Sequence, residues 1–278
     1  MNCKTNLLTL IFSCFVLITF GQRTLAPLPK CKNGFIVIAH RGSHLIKPEN
    51  SIAAIEEAID LGADYVEIDL RTTRDGHLVL IHNETIDHTT NGKGRIQDLN
   101  LDEVENLTLN AKDGHLYRLP SFKEALRVCK NRINIYLDFK QADVAQAYEE
   151  IKSAGMEKQV LVYINKADQY QSWRAVAPQM PLMCGLPEQI KTKEELISLL
   201  HKMPLEATDN VSEPVLVAAL TECGLSVFLD VQMADENPVK WKAAMDKGIQ
   251  GVQTDHPEAL IKYLQTNKLR NGINASER

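Results

Sequence analysis

Glu67 and Asp69 stand two residues apart in the run Tyr65-Val-Glu-Ile-Asp-Leu70. In an extended strand that spacing puts both carboxylates on one face. Two carboxylates held together repel, so something positive belongs between them. A hard divalent cation with oxygen ligands, Mg²⁺ or Ca²⁺, is the natural chemical partner. An ion pair with Arg or Lys would also satisfy them, and for this pair alone that plainer reading weighs more.

Other residues change the balance. His40 and Arg41 follow the apolar run Phe35-Ile-Val-Ile-Ala39; a histidine moves protons near neutral pH, and a guanidinium grips a phosphate through two hydrogen bonds. Asp138 and Lys140 repeat the two-residue spacing at the end of another apolar run, so a third carboxylate and an ammonium share a face. His82 closes Leu78-Val-Leu-Ile-His82. Each residue alone has a structural explanation. Two histidines, three carboxylates, an Arg and a Lys at successive strand ends point to metal-assisted chemistry on a phosphate.

The elements that must position them alternate. Strands are predicted at 35–39, 65–70, 133–139, 160–164, 182–186, 206–210, 226–231 and 251–255. Helical patterns separate them, among them 51–61, 123–129, 144–154, 193–201 and 214–223. Eight strands in βα alternation predict a parallel (β/α)₈ barrel spanning residues 30–266. The run 78–82 follows the second strand after only a short turn at Arg74-Asp-Gly76. A parallel neighbour needs a crossover of about a dozen residues. This run is therefore predicted to return antiparallel, bringing His82 toward the level of Glu67 and Asp69. Residues 83–119, polar and rich in turn signals, are predicted to be a small insertion or lid, and the tail after Thr266 to fray.

The chain has 278 residues and a formal net charge of −5. That balance, without a basic stripe, argues against nucleic-acid binding. Lys4 and the apolar stretch 7–20, followed by Gly21-Gln22, have the pattern of a secretory signal peptide over residues 1–21. The stretch falls short of the roughly 20 residues that span a bilayer, and the sequence around Cys14 argues against a lipid anchor. The mature protein is expected to be exported, periplasmic or extracellular. Cys129, Cys184 and Cys223 read as buried small hydrophobes, and no CxxC pair suggests a zinc ribbon.

Ala39-His-Arg-Gly42, Pro48-Glu-Asn-Ser51, Gly62-Ala-Asp-Tyr-Val-Glu-Ile-Asp69, Thr73-Arg-Asp-Gly76 and Leu80-Ile-His82 occur in one order. With Thr89-Thr-Asn-Gly-Lys-Gly94, Leu119-Pro-Ser-Phe-Lys-Glu124 and Gly251-Val-Gln-Thr-Asp-His-Pro257, this resembles the glycerophosphodiester phosphodiesterase family. The resemblance implies a TIM barrel with a small inserted region, and metal-dependent hydrolysis of a small phosphodiester to glycerol 3-phosphate and an alcohol. It carries catalytic roles onto His40 and His82, metal ligation onto Glu67 and Asp69, and phosphate binding or orientation onto Arg41, Glu49 and Lys140. The chain departs from the family pattern at three places. Asp138 stands where the third metal ligand is usually a glutamate, Asn83 replaces an aspartate after the second histidine, and the tryptophan of the penultimate strand is missing near Leu229. Two other readings stay open here: a related phospholipase C-like enzyme acting on an intact lipid or cell-wall phosphodiester, and a non-catalytic phosphoester-binding relative.

Overall fold

The computed structural model describes residues 26–233 and 235–270. The expected signal segment lies outside them. In chain order the elements are β1 (Ile36–Ala39), α1 (Ile52–Leu61), β2 (Tyr65–Thr72), β3 (Leu78–Leu80), α2 (Leu101–Glu105), α3 (Phe122–Cys129) and β4 (Asn134–Gln141). Then come α4 (Val144–Ala154), β5 (Val160–Ile164), α5 (Ala167–Val176), β6 (Leu182–Gly185), α6 (Lys193–Lys202), β7 (Ala207–Asp209), α7 (Pro214–Glu222), β8 (Ser226–Asp230), α8 (Pro238–Met245), β9 (Gly251–Thr254) and α9 (Pro257–Thr266).

Eight strands pair in parallel, in the ring order β1-β9-β8-β7-β6-β5-β4-β2, and β1 closes onto β2. The (β/α)₈ barrel expected from the alternation is the observed fold. β3 is the ninth strand and pairs antiparallel with β2, Leu70 opposite Leu80, as the short turn at Asp75-Gly76 demands. The strand stops at Leu80, and Ile81 N donates to Asp69 O at 3.0 Å. This pins the approach to His82 beside the end of β2.

Alternation along the strands sorts their side chains into two environments. One set, with Val37, Val66, Ile68, Leu70, Ile135, Leu137, Phe139, Val162, Leu182, Val227, Leu229 and Val252, packs against the helices. Phe139 meets Trp173 of α5 edge to face at 5.3 Å. The other set, Ile38, Tyr65, Tyr136, Leu161, Met183, Ala207 and Phe228, fills the base of the barrel interior. Two residues further along the same strands the inward positions turn polar: His40, Glu67, Asp138, Tyr163, Asp209 and Asp230. The barrel is therefore apolar at its base and charged at the carboxyl ends of its strands, where barrel chemistry resides.

Residues 83–119 carry a small core of their own. Ile86, Ile96, Val104, Leu109 and Leu119 cluster with Val79 and Ile81 of the hairpin arm. Three sequence expectations need correction. Glu206 is outside β7; its carboxylate pairs with Arg174 and accepts from Leu182 N. Cys184 and Cys223 are half-buried rather than buried, and of these three Cys129 alone is fully enclosed. The tail after Thr266 does not fray as far as it is described. Arg270 folds back to make an ion pair with Asp64, both side chains under 5% exposed. Asp64 in turn accepts from Val37 N, so the end of the described chain locks onto the base of β1.

Candidate active site

Glu67, Asp69 and Asp138 offer oxygens that all lie within 4.8 Å of one another. Asp69 and Asp138 are register partners on neighbouring strands, and Glu67 sits one inward position below Asp69. Glu67 and Asp69 are almost completely buried, 3% and 1% exposed. Burial, then the nearby charges of Asp69 and Asp138, push the Glu67 carboxyl well above the usual carboxylate range. Burial also raises Asp138, against the pull of Lys140.

The surrounding donors satisfy part of each carboxylate and leave the rest facing inward. Glu67 Oε2 accepts from Arg41 N at 2.8 Å, Asp69 Oδ2 from Asn50 Nδ2 at 2.8 Å, and Asp138 Oδ1 from Asn165 Nδ2 at 2.7 Å. Asp69 Oδ1 accepts no hydrogen bond at all; Lys140 Nζ stands 3.3 Å away without the geometry of one. Lys140 also pairs with Asp138. An all-oxygen donor set with an orphaned buried oxygen fits a hard divalent cation. In this geometry Lys140 neutralises carboxylates of the trio.

The loop from β1 to α1 is built to hold Arg41 and Asn50 against this trio. Both residues adopt left-handed backbone, φ 51° and 58°, which non-glycine residues rarely do. Asn50 N donates to Arg41 O at 2.9 Å and Asn50 Oδ1 accepts from Asp69 N, so the loop is stitched to β2. Between them Gly42 has φ 84°, and a Cβ there would come within 2.7 Å of Ala54. The loop thus lies directly on the first turn of α1, which Ser51 caps through Ala54 N. Glu49 accepts from Arg41 Nη1 with both oxygens at 3.1 Å, so its visible role is to orient Arg41.

The histidines are held differently. His40 Nδ1 lies 2.7 Å from Asp255 Oδ1, and Asp255 sits just beyond β9. Hydrogen bonding and charge from His40, then from His44 and His256, outweigh burial and hold the Asp255 carboxyl below its ordinary value. His82 Nδ1 lies 2.8 Å from Asn83 Oδ1. Both partners are oxygens that accept, so both rings carry hydrogen on Nδ1 and present Nε2 to the site.

All eight residues singled out from the sequence therefore lie at the carboxyl-terminal mouth of the barrel. Asp255, His44, Asn50, Asn165, Asp209 and Asp230 were missed. Asp255 lay inside the motif noted at 251–257, but a lone carboxylate there has no strand-spaced partner to mark it. His44 donates from Nδ1 to His40 O at 2.7 Å and flanks Asp255 at 3.6 Å. Its ring and that of His40 meet edge to face at 5.5 Å. His40 Nδ1 and His44 Nε2 thus both face Asp255 Oδ1, at 2.7 Å and 3.6 Å. Leu229 faces the helices, and the inward residue at that end of β8 is Asp230.

Residues 40–259 match the glycerophosphoryl diester phosphodiesterase family. A glycerophosphodiester phosphodiesterase of Caldanaerobacter subterraneus is 30% identical over 249 residues, covering 83% of this chain and 98% of that protein. Among solved structures, a glycerophosphodiester phosphodiesterase from Agrobacterium tumefaciens superposes with a TM-score of 0.74 at 23% identity, over 82% of this chain and 99% of the other. An Oleispira antarctica phosphodiesterase, solved in complex with the product sn-glycerol-3-phosphate, superposes at 0.73 with 21% identity, over 83% and 96%.

Proposed function

The chain belongs to the glycerophosphoryl diester phosphodiesterase family, and on that premise we propose that it hydrolyses glycerophosphodiesters, with one divalent cation, to glycerol 3-phosphate and a free alcohol. The observation that carries this reading is the juxtaposition at one barrel mouth of a buried carboxylate trio and two histidines with free Nε2 atoms.

Glu67, Asp69 and Asp138 would hold the cation, and the hard oxygen set suits Mg²⁺ or Ca²⁺. A cation bound there neutralises the trio and offsets charge developing on the phosphoryl oxygens. Arg41, fixed by Glu49, and Lys140 supply the remaining positive charge toward the phosphate. His40 is the better proton acceptor, because the Asp255 carboxylate stabilises the imidazolium that forms when Nε2 takes a proton from the attacking hydroxyl or water. His82, backed by the neutral Asn83 amide, is the donor that protonates the leaving alcohol oxygen from Nε2. The apolar run 7–20 supports export of the protein; residue 22 as the first residue of the secreted form would bear this out.

Incubation of the mature protein with a panel of glycerophosphodiesters, with Ca²⁺, Mg²⁺ or chelator, tests the reading through coupled detection of glycerol 3-phosphate. Metal-dependent release is expected. A folded, metal-loaded protein that releases none from any substrate sinks it. A second reading, cleavage of an intact lipid, has one observation in its favour: Leu45 and Ile46 stand exposed on the catalytic-face loop that Lys112 ties to the insertion. Turnover of diacyl phospholipid in vesicles, exceeding that of the deacylated compound, would support it.

A further inference from the structure

The barrel mouth has a second acidic wall. It is formed by β7, β8 and β9, across the ring from the β2 and β4 strands that carry the carboxylate trio. Asp209 ends β7, Asp230 ends β8, and Gln253 is the register partner of Asp230 on β9. Asp209 is 5% exposed and its Oδ1 has no hydrogen-bond donor; Gln253 is 6% exposed and its Oε1 has none either. These are two separate buried oxygens, on two strands, neither accepting a well-formed hydrogen bond. Unpaired buried acceptors are costly and rare.

The wall is pre-arranged. Asn210, in left-handed backbone at φ 56°, donates from Nδ2 to Asp209 Oδ2 at 3.2 Å and to Asp230 Oδ2 at 2.8 Å. Its own Oδ1 accepts from Asp230 N at 3.1 Å. One amide thus clamps both carboxylates by their outer oxygens. On the neighbouring strand the inward position opposite Asp209 is Gly185. A Cβ there would stand 3.2 Å from Asp209 Oδ1 and 3.6 Å from the Tyr163 hydroxyl, so the glycine leaves a notch that both oxygens border. Burial first, then the negative charges of Asp230 and Asp138, outweigh the backbone N–H and the nearby Tyr163 hydroxyl and push the Asp209 carboxyl up to about 7. Asp230 is close enough to feel the charge of His40, so the wall adjoins the proton-transfer machinery.

We propose that this wall is the subsite for the substrate's alcohol and that it selects an alcohol bearing a primary ammonium, an aminoethanol-type headgroup. The inference rests on the hydrolytic reading above and names its substrate class. The lining needs both hydrogen-bond donors and positive charge. A primary ammonium supplies three N–H donors and a charge. A quaternary ammonium supplies charge without donors, and a neutral polyol donors without charge.

The test is kcat/KM for glycerophosphoethanolamine, glycerophosphocholine and glycerophosphoglycerol at one metal concentration. The ethanolamine compound should lead the other two by roughly 10- to 100-fold, the worth of a charge-assisted hydrogen bond. Asp209→Asn, verified as folded by circular dichroism, should bring the three values close together. Equal values in the wild type, or a lead for the choline or glycerol compound, would overturn the subsite while leaving hydrolysis intact. An unchanged preference in Asp209→Asn would also overturn it. Turnover of none of the three would remove the parent reading and this one with it.

Discussion

Asn83 Oδ1 accepts the Nδ1 hydrogen of its sequence neighbour His82 at 2.8 Å. A neutral amide thus stands where a carboxylate would favour the imidazolium. Asn83→Asp would stabilise protonated His82. If His82 is the proton donor, its competent form then persists to higher pH, and the alkaline limb of the kcat/KM profile moves up. Movement of the acid limb instead would show that His82 is the acceptor, reversing the roles assigned to the two histidines.

Asp255→Asn should lower kcat/KM by about 10²- to 10⁴-fold, the range for loss of a general base or of the carboxylate behind one. His40→Ala should fall at least as far. Neither residue is placed among the cation's ligands, so the rise in melting temperature on adding metal should survive in both. Loss of that rise would mean that Asp255 supports the fold of the site rather than proton transfer.

Stability of the metal-free protein should carry the signature of raised carboxyls. A carboxyl whose folded pKa is raised lends its full stability below the unfolded value, and that stability is lost as pH rises through the folded value. For Asp209 the window runs from near 4 to about 7. Asp209→Asn should match the wild-type melting temperature near pH 4 and exceed it at pH 7 and above by about 2–6 °C. Glu67→Gln should likewise raise the metal-free melting temperature at neutral pH, because it removes one buried charge from the trio. It should also weaken or abolish the metal-induced increase. A Glu67→Gln protein as metal-responsive as the wild type would remove Glu67 from the ligand set.

Gly42→Ala tests the seating of the first loop. The added methyl would meet the backbone of Ala54 at 2.7 Å in a left-handed conformation. A cost of about 2–4 kcal/mol is expected in urea unfolding. Cation affinity should fall as well, because Arg41 N and the Asn50 side chain, which hold Glu67 and Asp69, flank the displaced residue. Unaltered stability would mean that the loop lifts off α1 at no cost.

Much of this site was legible because strand geometry is local. Glu67 with Asp69, and Asp138 with Lys140, advertise themselves by two-residue spacing, and the short turn at Gly76 forces β3 back and His82 with it. Asp209 and Asp230 end two strands and Asp255 follows a third, each a single carboxylate. What makes them a wall and a partner for His40 is barrel closure, which no spacing within one strand encodes. Asn50 was hidden for another reason: its place against Asp69 follows from a left-handed bend that its sequence neighbours do not announce. Arg270 was misjudged because a polar tail gives no sign of a buried carboxylate waiting 206 residues earlier.

The seam between β1 and β9 has a temporal meaning. Glu67, Asp69 and Asp138 all belong to the first half of the chain, on the neighbouring strands β2 and β4. His40 gains its carboxylate only when Asp255, 215 residues later, slides in beside it. A chain cut short before Asp255 would keep all three carboxylates and lose the partner of His40. Hydrolysis would therefore report that the last strand is home.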